Sequence, residues 1–225
     1  MYEISKSNSL KVQFKCVIIK LEGNPTMFKR KCKITFITHG ATVHSLDGIM
    51  SDSEKYPKLN DFGEEEIKKV CEYLETRAVA YDKIYTSSST RCTQSAQIIA
   101  KLFKNKFITI NLPPRKLGEW SGHSYTDIYD TYGAKAILQT PDGGEALKDF
   151  NKRVKSVIQD LVKENRGNRI IIVTTPDVVQ SAVAQTLGLK GENQFKVLIK
   201  TGSLTQISYF EDNWSSLIYS DYVPL

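Results

Sequence analysis

The chain has no cysteine pair at metal-ligand spacing. Cys16, Cys32, Cys71 and Cys92 stand far apart, with no CxxC among them. That speaks against a metal cluster and against a disulfide framework, and leaves free buried thiols as the reading. A pairing of Cys16 with Cys32 needs their two strands to be neighbours. No apolar run approaches the roughly 20 residues needed to cross a bilayer. The opening MYEISKSNS lacks the basic-then-apolar pattern of a secretory signal, so the expected location is cytoplasmic. Repeats and low-complexity tracts are also missing. What remains is 225 residues, 40% apolar and 25% charged, the composition of a globular chain able to bury a sizeable core.

Charge is unevenly placed. Residues 1–33 hold Lys6, Lys11, Lys15, Lys20, Lys29, Arg30, Lys31 and Lys33 against Glu3 and Glu22, a sum of +6 that equals the net charge of the whole chain. The rest is neutral. A basic leader on a neutral body can touch nucleic acid, an anionic membrane or an acidic partner. It can equally be a solvated arm, and the short run FKRKCK lacks the aromatic interleaving of a nucleic-acid platform.

Periodicity divides the chain into alternating strands and helices. LKVQFKCVIIKL, residues 10–21, alternates partly and reads as a strand. KITFIT, Lys33 to Thr38, is a β-branched apolar run suited to a buried strand. LNDFGEEE starts a helix, with Asn60 or Asp61 as cap, acids in the first turn, and Ile67, Val70, Cys71 and Leu74 on one face. YDKIYTSS is a short strand, followed by a helix with Cys92, Ala96, Ile99, Ala100 and Phe103 on one side. FITINL is a strand broken by Pro113 and Pro114. Residues 118–145 form a loop-rich flap, and a long helix follows with Leu147, Phe150, Val154, Val157, Ile158 and Leu161 facing inward. RIIIVTT, Arg169 to Thr175, reads as a central strand. A helix spans about Val178 to Leu187, and strands near 203–209 and 215–220 are joined by EDN. This order predicts an α/β fold: a single three-layer domain, a largely parallel central sheet with helices on both faces, over 33–225, preceded by a basic extension with a strand over 1–32. In such sheets ligands bind at the carboxyl ends of the strands, where His39, the 86–91 turn and Thr175 fall together.

Six segments in this order resemble the histidine phosphatase superfamily, the phosphoglycerate-mutase-like proteins. THGAT stands for the family's RHGET signature, LNDFGEEE for its helix start, and IYTSSSTRCTQSAQIIA for its second arginine block. LGEWSG, PDGGEALKDFNKRV and VTTPDVVQSAVAQTLGL match its loop, its glycine segment and its closing SHGG strand and helix. The resemblance runs from Lys33 to about Gly188 and more loosely to the end. It implies attack on phosphorus by a histidine ring nitrogen, a phosphohistidine intermediate, a positive pocket for a dianionic monoester, and no dependence on a metal or other cofactor.

Carried over by position, the match is uneven. His39 sits at the nucleophile and Arg91 at the second phosphate-binding arginine. The arginine before the nucleophile is Thr38, the signature glutamate is Ala41, and the asparagine that follows is Ser45. The general acid is Pro114, and the second histidine is Thr175, followed by Pro176 and Asp177. Thr38 and Thr175 are candidate neutral donors to phosphate beside Arg91. Asp177 and Glu119 are candidate replacement acids, and Lys116, His44 and His123 candidate sources of the lost positive charge. Loss of one preorganised donor commonly removes about 10²–10³ in rate, and three such losses, added naively, reach on the order of 10⁶. The expectation is therefore a degenerate member of the fold, inactive or very slow, acting as a binding or scaffold module for a phosphorylated small molecule or a protein partner. The alternative is an active phosphomonoesterase working through a phosphohistidine at His39.

Overall fold

The computed structural model describes residues 29–53, 57–133 and 135–224. The strand expected over residues 10–21, Cys16, and most of the basic leader lie outside them.

The first strand, β1 (Arg30–Thr38), begins three residues before the expected boundary, because Arg30 and Cys32 already pair with Phe210 and Tyr209 across a register shift. An ion pair between Lys31 and Glu211 at 3.2 Å holds that edge. A short helix α1 (Val43–Leu46) and the long α2 (Asp61–Thr76) follow, the latter capped by the Asn60 side chain, which accepts from the Gly63 N–H. Then come β2 (Lys83–Ser87), α3 (Thr90–Leu102), β3 (Phe107–Ile110), α4 (Tyr125–Tyr132) and α5 (Leu147–Glu164). The chain continues through β4 (Arg169–Thr174), α6 (Pro176–Thr186), β5 (Leu204–Phe210) and β6 (Ser215–Tyr222). α6 starts two residues ahead of the expected Val178, since Pro176 has no N–H to lose and its fixed φ suits the first helical position.

The six strands form one sheet in the order β3-β2-β4-β1-β5-β6. Its first four strands are mutually parallel, and β5 runs antiparallel to both neighbours. Strand alternation sends Ile34, Phe36, Ile170 and Ile172 to one face and Ile37, Ile171 and Val173 to the other. Phe150, Val154, Ile158 and Leu161 of α5 and Val178, Val179 and Val183 of α6 cover the first face. Ile67, Val70 and Leu74 of α2 and Cys92, Ala96 and Ile99 of α3 cover the second. Three layers result, as the periodicity predicts. Each fully buried aliphatic or aromatic side chain here contributes roughly 1.5–3 kcal/mol. Cys32, Cys71 and Cys92 are buried and free, packed as small hydrophobes.

The flap over 118–145 has its own small core, in which Trp120 and Ile128 meet Met50 and Ala136. It is tied to the body by Arg115. That guanidinium donates to the carbonyls of Glu145 (2.9 Å), Ile137 (2.9 Å) and Gln139 (2.6 Å).

Candidate active site

The carboxyl ends of β1 and β4 open into a cleft of about 630 Å³. The loop that carries His39 reaches it through a backbone crossing. A Cβ on Gly40 would lie 2.0 Å from the Gly63 carbonyl oxygen, and a Cβ on Gly63 would lie 2.1 Å from that of Ala41. Only two glycines allow the THGAT turn and the start of α2 to touch in this way. The contact is fastened by Glu66, whose Oε2 accepts the Ala41 N–H at 2.7 Å. Burial pushes the Glu66 carboxyl above its usual range, partly offset by that bond and by the Thr201 side chain.

His39 is 5% exposed, at the floor of the cleft. Its Nδ1 lies 2.8 Å from the Gly40 carbonyl oxygen. A carbonyl can only accept, so Nδ1 carries the proton and Nε2 the lone pair. That lone pair accepts from Arg91 Nε at 3.2 Å. Burial first, then the Arg91 charge, pulls the imidazole down to about 3, so the ring is neutral throughout the physiological range. The ring is neutral and in one tautomer, and its Nε2 pair becomes available to an electrophile only when Arg91 Nε gives up its hydrogen bond. Arg91, in the first turn of α3, also donates from Nη1 to the Ser53 carbonyl at 2.8 Å and from Nη2 to that of Ser51 at 3.3 Å.

The other expected residues divide. Thr38 is fully buried but does not line the cleft. Its hydroxyl donates to the Lys200 carbonyl at 2.7 Å and accepts the Ser203 N–H at 2.8 Å. The expectation of a phosphate donor at Thr38 is thereby corrected, because its one short hydroxyl is turned into the 200–203 turn. Thr175 does line the cleft, with its hydroxyl donating to Asp177 Oδ1 at 2.5 Å. Asp177 is at the cleft too, but both its oxygens are occupied: Oδ1 also accepts the Val178 N–H (2.9 Å) and Oδ2 the Arg115 N–H (2.7 Å). It closes the first turn of α6 rather than presenting an acid to a leaving group. Glu119 is exposed, accepts from the Tyr132 hydroxyl at 3.1 Å, and is not brought to the cleft. Lys116 and His123 also stay outside it. Pro114 lines it, as does Ser45, whose hydroxyl closes a capping box with Thr42 at the start of α1. His44 is a cleft residue, and its buried Nδ1 has no hydrogen-bond partner among the described residues.

Sequence reasoning missed Arg115 and Lys200, both cleft residues. Lys200 is clamped by its backbone, its carbonyl on Thr38 and its N–H on Asp221 Oδ1 (2.7 Å), while its side chain is 62% exposed and 4.0 Å from Asp221 Oδ2. The outer walls are largely apolar, with Tyr125, Ile137, Phe195 and Leu198 among them. Among the described residues no three His, Cys, Asp or Glu side chains gather closely enough to hold a metal ion.

A three-layer domain thus carries a neutral histidine at the end of a central strand, next to an arginine from the helix after β2. The chain belongs to the histidine phosphatase superfamily, branch 1, whose family model matches residues 34–221. Over 190 residues, 80% of this chain and 81% of the relative, it is 25% identical to a broad-specificity phosphatase of Saccharomyces cerevisiae. Over 213 residues, 88% and 85% of the two chains, it is 24% identical to a metal-independent phosphoserine phosphatase of Arabidopsis thaliana. Among solved structures it resembles the alpha-ribazole phosphatase of Shigella flexneri, with a TM-score of 0.72, 21% identity and coverage of 84% and 96% of the two chains. YhfR of Bacillus stearothermophilus gives 0.76, 21%, and 85% and 98%. At these identities the structural likeness speaks for the fold.

Proposed function

We propose that this chain is a slow phosphomonoesterase working through a phosphohistidine at His39. The observation that carries the reading is the tautomer: Nδ1 donates to the Gly40 carbonyl, and the Nε2 lone pair sits beside Arg91 on the cleft floor. As the phosphate enters, Arg91 Nε turns from Nε2 to a phosphoryl oxygen; the freed Nε2 pair attacks phosphorus, the ester P–O bond breaks, and the leaving oxygen takes a proton from water. Water then attacks the phosphohistidine, releasing phosphate and restoring Nε2. Arg91 neutralises the phosphoryl oxygens, and Lys200 stands in for the arginine missing at position 38, from a turn that the Thr38 hydroxyl itself holds. With proline at 114 and Asp177 committed to three donors, the leaving group departs with little acid help. Aryl phosphates, whose phenolate leaves readily, should turn over far faster than alkyl phosphates.

A second reading, a phosphate-binding module without turnover, is favoured by the inward commitment of Thr38 and the replacement of the second histidine by Thr175. Its ligand would be a phosphorylated small molecule or protein. One assay separates the two: hydrolysis of an aryl phosphate over pH 4–8 by the protein and by His39→Ala, with trapping of labelled phosphohistidine. Turnover that vanishes in the variant supports the phosphatase. Equal background in both sinks it and leaves the binding module.

A further inference from the structure

A second concave site lies at the opposite edge of the sheet. Lys33 starts the parallel part of β1, opposite Arg169 at the start of β4. With Arg77 at the end of α2 they line a pocket of about 120 Å³ whose walls include Tyr73, Tyr81 and Tyr219. Lys33 is five residues from Thr38 along β1, roughly 17 Å at 3.3 Å per residue, so this pocket is separate from the cleft.

Among the described residues no ion pair joins Lys33, Arg77 or Arg169 to a carboxylate. Asp82, the neighbouring acid, has its Oδ2 on the backbone N–H of Arg169 at 2.8 Å. Lys33 and Arg169 are half-buried, so water screens them only partly. Burial and the charges of Arg30 and Arg169 pull the Lys33 ammonium below its usual range. The walls are already fixed: Gln206 Nε2 donates to Thr35 Oγ1 at 3.0 Å, the Tyr81 hydroxyl lies 3.4 Å from the same oxygen, and the Arg77 guanidinium sits 5.9 Å from the Tyr73 ring centre. A solvated surface scatters its cations or pairs them, whereas here three of them, from three separate elements, line one small hollow.

We propose that Lys33, Arg77 and Arg169, walled by Tyr73, Tyr81 and Tyr219, form a second anion site that takes a single phosphate-sized oxyanion. A hollow of about 120 Å³ is roomy enough for one tetrahedral oxyanion. Guanidinium forks suit such oxygens, and three cations supply more charge than a monocarboxylate needs.

The test is calorimetric titration of inorganic phosphate into Arg91→Ala protein, in which the cleft has lost its floor cation. One phosphate per chain should bind with a millimolar or tighter constant and move the ring resonances of Tyr73 and Tyr219. Arg77 is exposed, so Arg77→Ala leaves the fold intact, and it should weaken that binding by about tenfold or more, as expected for one charge-assisted bond. Arg77→Lys should retain most of it. No binding to the Arg91→Ala protein, or binding indifferent to Arg77→Ala, would overturn the proposal. So would full displacement by sodium chloride at matched ionic strength, which would reduce it to screening.

Discussion

Acid should unfold this protein partly through His39. In an unfolded chain the imidazole titrates near 6.5, whereas in the folded protein burial and Arg91 hold it down to about 3. Between those two pH values the unfolded state binds one proton more than the folded state, so falling pH favours unfolding. The stabilisation from the buried neutral ring is fully present above pH 6.5 and drains away as pH drops toward 3. Each pH unit in that window is worth about 1.4 kcal/mol, and the whole window about 5 kcal/mol. Carboxylates elsewhere titrate over the same range, so the wild-type curve alone does not isolate the effect. The comparison is with His39→Asn, which removes the titration while the other groups stay. Urea unfolding of both proteins at pH 7.5 and 4.5 gives the difference in stability at each pH. That difference should fall by about 2.7 kcal/mol from the higher pH to the lower. A difference that stays constant would mean that the folded imidazole accepts a proton as readily as the unfolded one. The depression of its titration by burial and Arg91 would then be refuted.

Further outcomes follow from the geometry. Gly40→Ala places a Cβ 2.0 Å from the Gly63 carbonyl, against backbone that cannot give, and should cost about 3–5 kcal/mol in urea unfolding. Arg115→Ala strips donors from three flap carbonyls at about 1–3 kcal/mol for each one left dry. Limited proteolysis should then cut within 118–145 well before the body of the chain. Lys200→Ala should raise KM for an aryl phosphate by about tenfold with a smaller change in kcat, since it removes a charge-assisted contact made to bound and reacting phosphate alike. An unchanged KM would remove Lys200 from the pocket. Phe150→Ala, in the core between α5 and the sheet, should destabilise by about 3–5 kcal/mol in the same urea assay while the protein retains its fold.

The layer order was readable because buried strands announce themselves locally. KITFIT and RIIIVT are short apolar β-branched runs, and the 3–4 spacing of Phe150, Val154, Ile158 and Leu161 marks a helix face. That His39 and Arg91 fall close together was readable for a related reason, since each sits at the end of a recognisable element. Thr38 was not. Its type says that it can donate a hydrogen bond, but the choice between phosphate and the Lys200 carbonyl depends on a loop 162 residues away. Lys200 and Arg115 lie in connections without period, where nothing in the local pattern separates a cleft lysine from a solvated one. Asp177 looked available because its neighbours in sequence say nothing of the Arg115 N–H that arrives from 62 residues upstream. The second anion cluster is invisible for the same reason, its cations being contributed by β1, α2 and β4.

The strand that bears His39 lies between β4 and β5, and its two hydrogen-bonding edges are supplied by residues 169–174 and 204–210. During synthesis, then, His39 is among the first described residues to leave the ribosome and among the last to find its place. No nascent chain shorter than about the full sheet can hold Gly40 against Gly63 or seat the ring on Arg91. The chemistry proposed for His39 would then wait on β5, and a product truncated before residue 204 should carry His39 and Arg91 yet remain inert.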